Sequence, residues 1–187
     1  MELYTYRFAL DPTKDQRILL SKHCGATRFL YNHFLNQRKT TYSTSKQSLN
    51  YYDQSRQLPA LKKEYNWLKE INSQSAQYAL KCVDISFTRF FNKQSKYPKF
   101  HSKFQKNSFR IPQFISVEKN KIFFPKFREG IKLVAHRGIE GQIEFATVSK
   151  APTGKYHISY IVRTLRSLVL DQSPHLYSEH KIFITQI

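Results

Sequence analysis

Between residues 85 and 117 the chain reads ISFTRFFNKQSKYPKFHSKFQKNSFRIPQFISV, a run without a single carboxylate. It carries Arg89, Lys93, Lys96, Lys99, Lys103, Lys106 and Arg110, interleaved with Phe87, Phe90, Phe91, Tyr97, Phe100, Phe104, Phe109 and Phe114. Cations at this density neutralise phosphates, and rings between them either stack on bases or anchor the strip to a core. The same pattern also describes a solvated basic face with its aromatics buried. Of the rings, Tyr97, Phe100 and Phe109 fit the core better than a stacking platform.

Catalysis would need other groups. Metal-assisted cleavage of a phosphodiester requires two or more carboxylates held together, and none of the 13 acidic residues forms such a pair at the end of an apolar strand. The seven histidines show no HExxH spacing, and the chain has neither a Gly-rich phosphate loop nor GxSxG. Cys24 and Cys82 stand alone, which makes neither a disulfide framework nor a zinc site and suits buried, reduced thiols. From its own residues the chain is a binder, with no catalytic residue, metal ligand or cofactor assigned.

The charge balance agrees. Lys and Arg number 31 against 13 Asp and Glu, a formal net charge of +18, in a chain of 187 residues. Thirteen basic and two acidic side chains lie between residues 85 and 137, which places +11 of that charge in one stretch. A polyanion is the partner this implies. There is no 20-residue apolar span, signal peptide or basic amphipathic anchor, so a cytoplasmic protein without a membrane partner is expected.

The elements that must position the strip follow from periodicity. Residues 2–9 alternate Tyr4, Tyr6 and Phe8 with Leu3, Thr5 and Arg7, a strand pattern closed by Asp11-Pro12. Thr13-Lys14-Asp15-Gln16 has the form of a capping box. A helix to about His23, a glycine turn at Gly25 and a second helix from Ala26 to about Thr41 are expected, in outline a helix-turn-helix or an αα-hairpin packed in a core. Asn50 caps a short helix, Pro59 opens a further turn, and Asn72-Ser73 starts the longest helix, with Ala76, Leu80, Val83, Phe87 and Phe90 on one stripe. From Phe109 five short alternating runs follow, with turn signals at Lys119-Asn120, Glu129-Gly130, Gly138 and Pro152-Thr153-Gly154. They suggest a small barrel. Pairing the opening strand with this late set would close it and make the helices an insertion.

The segments YTYRFALDPTKDQ, GATRFLYNHFLNQRKTTY, LNYYDQSRQLPALKKEYNWLKEINSQSAQYALKCVDISFTRFF, YPKFHSKFQKNSFRIPQ and the strands ending at HISYIVRT resemble, in order and spacing over residues 3 to about 164, the TnpB (OrfB-type) proteins of insertion sequences. That family consists of RNA-guided DNA endonucleases similar to the compact ancestors of type V CRISPR effectors. The resemblance implies an α+β fold: a small oligonucleotide-binding-like β-barrel, or wedge, with a helical recognition domain inserted after its first strand. On that reading residues 1–10 are the first wedge strand, 11–105 the recognition domain, 106–164 the remaining wedge, and 165–187 an out-of-family tail. The implied partners are guide RNA and target DNA.

The family's motif-reading helices correspond to Tyr51 and Ser55 and to Ser73 and Gln77. Ser73 stands where a family member can offer a lysine, and Gln113 in the RIPQ turn is a further candidate. Arg89, Lys93, Lys96, Lys99, Lys103, Lys106 and Arg110 would hold nucleic-acid backbone. The family cuts with a RuvC-like domain that follows this region and has a zinc-binding part. Residues 165–187 carry nothing of that form, and Asp171 in LVLDQS is the one candidate there. The expectation is a fragment that binds without cleaving. The alternatives are an N-terminal piece of a nuclease completed by a separately encoded RuvC chain, and a non-functional remnant.

Overall fold

In a computed structural model, which describes residues 2–104, 107–135, 138 and 141–164, strand β1 (Glu2–Asp11) leads into helix α1 (Lys14–Ser45). The capping box is present in full: Gln16 N–H donates to Thr13 Oγ1 and Thr13 N–H to Gln16 Oε1. Helix α1 then runs unbroken through Gly25, which corrects the expected glycine turn. Glycine inside a helix costs only about 1 kcal/mol, and packing on both sides outweighs it. Leu20 and Cys24 sit in one hydrophobic core, whereas Ala26, Leu30, Phe34 and Leu35 sit in another. Gly25 marks where one continuous helix passes from the first core to the second.

Short helices α2 (Tyr51–Ser55) and α3 (Leu58–Glu64) and a 3-10 turn at Asn66–Lys69 lead to α4 (Ser73–Phe91). Asn50 and Asn72 cap α2 and α4 as the sequence suggests, with side-chain oxygens accepting the free backbone N–H groups. Ala76, Leu80 and Val83 of the expected stripe are buried on α1, and Phe87 packs at the margin of the same core.

Six further strands follow: β2 (Asn107–Ile111), β3 (Ser116–Glu118), β4 (Lys121–Phe124), β5 (Phe127–Val134), β6 (Gln142–Lys150) and β7 (Tyr156–Thr164). They form with β1 one antiparallel sheet of order β2-β6-β7-β1-β5-β4-β3. Strand β1 pairs along its length with β7 and, through Ala9–Asp11, with β5, so the helices are an insertion between the first strand and the rest. The fold class is α+β.

The expected barrel is not closed by hydrogen bonds among the described residues, because β2 and β3 are the two edges. Residues 112–115 join those edges. Pro112 lacks an N–H to donate and Phe114 is left-handed at φ 60°, so the strand breaks there. Yet five Cα steps reach at most roughly 18 Å, whereas six strand spacings in a flat sheet would separate the edges by about 29 Å. The sheet is therefore strongly curled around its core of Phe8, Ile111, Ile122, Val148, Ile158 and Tyr160.

Two turn signals hold, at Lys119-Asn120 with both φ positive and at the residues around Gly154. Glu129-Gly130 does not turn the chain. It is a bulge inside β5, where the register with β4 shifts, and the turn falls at Pro125-Lys126 instead. Gln16 Nε2 donates to Gly130 O at 2.9 Å, tying the start of α1 to this bulge. The tail at 165–187 lies outside the described residues, as does Asp171.

Candidate nucleic-acid interface

The basic strip leaves α4 at its C-terminal end and returns to the sheet at β2. Arg89 lies in the last turn of α4, and Lys93, in the left-handed conformation at φ 59°, turns the chain out of it. Lys93, Lys96, Lys99 and Lys103 are all exposed, and so is Arg89. Lys106 lies outside the described residues. Among the described residues none of these five forms an ion pair with a carboxylate.

A clamp on α1 holds the strip in place. Asn32 Nδ2 donates to His101 O at 2.9 Å, and its Oδ1 accepts His101 N–H at 2.8 Å. The His101 ring lies flat on Tyr31, centroids 3.9 Å apart and planes 2° apart. Much of His101 is open to solvent, but its ring is covered on that side. Burial first, and then the Arg28 charge, lower its pKa below the ordinary imidazole value.

The aromatic residues divide. Phe109 is core, as expected. Tyr97 and Phe100 are not: both are exposed, and Lys39 Nζ from α1 lies over them at 5.8 and 4.9 Å from the ring centroids. Phe104, at 95%, and Phe114, at 73%, are the most exposed of the strip's rings. Arg110, expected to hold nucleic-acid backbone, has its guanidinium engaged within the protein as well. It is half-buried between Tyr78, whose hydroxyl accepts its Nη1–H, and the Phe145 ring, 3.2 Å from its Cζ.

The motif-reading candidates gather only in part. Ser73 and Gln77 are exposed one turn apart on α4, and Gln113 joins them through Gln74, whose Nε2 donates to Gln113 Oε1 at 3.1 Å. Lys62 of α3 donates to Ser73 Oγ at 2.9 Å. Burial, followed by the Lys126 charge, lowers the Lys62 pKa. Tyr51 and Ser55 remain on α2: Tyr51 packs on the helical core and against Tyr52, and the Ser55 hydroxyl donates to Tyr52 O at 3.0 Å.

Sequence reasoning missed Lys39, Lys62, Gln74 and the Asn32 clamp. Gln74 was detectable in principle, because it is three residues from Gln77 on the same helix. Asn32 and His101 are 69 residues apart, and no local pattern relates them. Among the described residues no group of His, Cys, Asp and Glu could hold a metal ion, and no described helix is long and apolar enough to cross a membrane.

Residues 1–47 match the family profile of the helix-turn-helix domain of the OrfB/IS605 type. In the structure this segment is strand β1 and one continuous helix. InsQ of Escherichia coli (strain K12), named as an RNA-guided DNA endonuclease, is 29% identical over 161 residues, covering 84% of this chain and 40% of InsQ. A protein of Streptomyces pristinaespiralis with the same descriptive name is 34% identical over 102 residues, 54% of this chain and 25% of that protein. The virulence protein VsdF of Salmonella dublin is 32% identical over 108 residues, 52% of this chain and 91% of VsdF. The chain thus spans less than half the length of the two endonucleases.

Proposed function

We propose that this chain, which belongs to the TnpB-type (OrfB) family of transposon-associated proteins, grips guide RNA and target DNA as the wedge and recognition parts of an RNA-guided endonuclease. The observation that carries this is the strip itself: Arg89, Lys93, Lys96, Lys99 and Lys103 are exposed, lack a carboxylate partner among the described residues, and are clamped to α1 through His101. Holding long side chains on one rigid rail lowers the entropy cost of meeting a phosphate backbone. The strip supplies affinity without reading sequence.

Sequence reading falls in this proposal to the polar ridge of Ser73, Gln77 and Gln113, and separately to Tyr51 and Ser55 on α2. Amide and hydroxyl groups suit base edges and sugars. At Ser73, where a lysine of the family would stand, Lys62 brings an ammonium from α3 to the same hydroxyl. Residues 11–105 act as the inserted recognition unit and the sheet as the wedge.

Cutting is assigned to carboxylates outside the described residues, on a further part of the protein or on a separate RuvC-bearing chain. The described part alone binds without cleaving. A gel-shift titration with a structured RNA tests the binding. Five phosphate contacts predict a log–log salt slope of about −3.5 for single strands and −4.5 for duplex DNA. A slope near zero would refute it.

A further inference from the structure

Behind the strip lies a cleft of about 390 Å³ between α1, α4, β2 and β6. Its lining includes two guanidinium groups, Arg28 and Arg110, and, among the described residues, no carboxylate. Neither arginine forms an ion pair with a carboxylate among the described residues. Arg28 uses Nη1 to donate to Asn107 Oδ1 at 2.6 Å, which fixes the guanidinium and leaves further N–H groups of its fork. Two half-buried cations without counter-ions make the cleft a trap for an anion.

Three features narrow the anion. Ser75 lines the cleft and is 99% covered, and its hydroxyl has no hydrogen-bond partner among the described residues. A buried hydroxyl left unpaired costs about 1–3 kcal/mol, so it marks a place where a ligand's polar group belongs. One side of the cleft is formed by the stacked rings of Tyr31 and His101. The volume sits at the small end of the roughly 300–1,000 Å³ range of small-ligand clefts. It suits one nucleotide and excludes a helix.

We propose that this cleft receives a single unpaired nucleotide of a bound strand, its phosphate on Arg28 and Arg110 and a sugar or base-edge oxygen on the Ser75 hydroxyl. The proposal rests on the nucleic-acid reading above and adds a site where a strand leaves its helix. Cys24 and Cys82 also line the cleft, and burial raises both thiols, Cys24 to about 12, so they wall it without acting as nucleophiles.

The test compares two RNA duplexes of identical sequence, one fully paired and one with a single bulged 5-iodouridine, by fluorescence polarisation on the whole chain. The bulged probe is expected to bind at least tenfold tighter. In Arg28→Gln and in Ser75→Ala that ratio should fall at least threefold, and irradiation should cross-link the iodouridine to Tyr31, Tyr78 or His101. Ser75→Ala deletes an oxygen without a partner, so it keeps the test valid should Arg28→Gln fail to fold. Equal affinity for both probes, a ratio unchanged in Ser75→Ala, or cross-links confined to other residues would overturn the cleft alone. Failure to bind either probe would overturn the nucleic-acid reading with it.

Discussion

The Nε2 of His23 accepts the backbone N–H of Asn72 at 3.0 Å, so a side chain of α1 holds the N-cap of α4. Because Nε2 is the acceptor, Nδ1 carries the proton and donates to Leu19 O at 2.8 Å. The ring is fully buried, 4.9 Å from Phe109 and 5.4 Å from Phe127. The contact therefore welds the helical core to the sheet. Burial lowers its pKa from 6.5 to about 4, with the Leu19 bond opposing and the Lys126 charge assisting.

That shift sets a pH dependence of stability. The unfolded chain binds a proton at His23 below pH 6.5 and the folded chain only near 4, so between these values the unfolded state is favoured as pH falls. The contribution is complete above pH 6.5 and declines toward pH 4, by up to about 3 kcal/mol. His101, also shifted down, acts with the same sign. Urea unfolding at pH 7.5 and 4.5 should show a smaller stability loss in His23→Gln than in the wild type. An equal loss in both would remove His23 from this account.

Gly25 offers a sharper test of the continuous helix. Its φ is not positive, and a Cβ built there meets nothing within 4 Å. Gly25→Ala should raise stability by about 0.5–1 kcal/mol, because alanine loses less backbone entropy. A left-handed glycine turn would give the opposite sign. The melting temperature decides.

Gly130 is the contrasting case. It stands at φ 68° in β5, and an added Cβ would lie 2.7 Å from the Phe123 ring. Gly130→Ala should cost about 1–3 kcal/mol through backbone strain and overlap. Pairing it with Phe123→Leu should recover part of the overlap term while leaving the strain, measurable as a double-variant cycle.

These two glycines show where the sequence was legible. Local signals such as Thr13-Gln16, Asn50, Asn72 and Lys119-Asn120 act through neighbouring backbone groups, and each is present as expected. A glycine carries no side chain to say whether it turns, bulges or merely continues, and tertiary packing decided that at Gly25 and Gly130. Alternation identified the strands, but curling without closure depended on how residues 112–115 join two edges. Within the candidate site, charge marked the strip. The division between free cations and the sandwiched Arg110 depends on Tyr78 and Phe145, 32 and 35 residues away.

Arg38 anchors α2 to both long helices. Its guanidinium, 8% exposed, donates through Nε to Gln54 Oε1 and through Nη2 to Asp84 Oδ1, both at 2.8 Å. Buried Gln54 in turn donates to Phe34 O at 2.8 Å. Removing the carboxylate leaves a buried cation short of a partner, whereas removing the cation frees a carboxylate that is 39% exposed. Asp84→Ala should thus cost about 2–3 kcal/mol after allowing for solvent at Asp84, and Arg38→Met about 1–2. Denaturant midpoints in the reverse order would contradict this arrangement. Because α2 carries Tyr51 and Ser55, both variants should also loosen the hold on those two residues.

The strip makes the last prediction. If Lys96, Lys99 and Lys103 each meet a phosphate, replacing any one with glutamine should shrink the salt slope by about 0.7 on single-stranded RNA and about 0.9 on duplex DNA. The melting temperature should stay within about 2 °C of wild type, because surface substitutions of this kind change stability by at most about 0.5 kcal/mol. Arg110→Gln should behave differently: it removes the Tyr78 bond and the cover over Phe145, so it should lower the melting temperature measurably. Its affinity loss should then exceed what one phosphate contact explains. The two classes separate in a plot of salt slope against melting temperature. Lysine variants that unfold, or an Arg110 variant that leaves the melting temperature unchanged, would contradict this division.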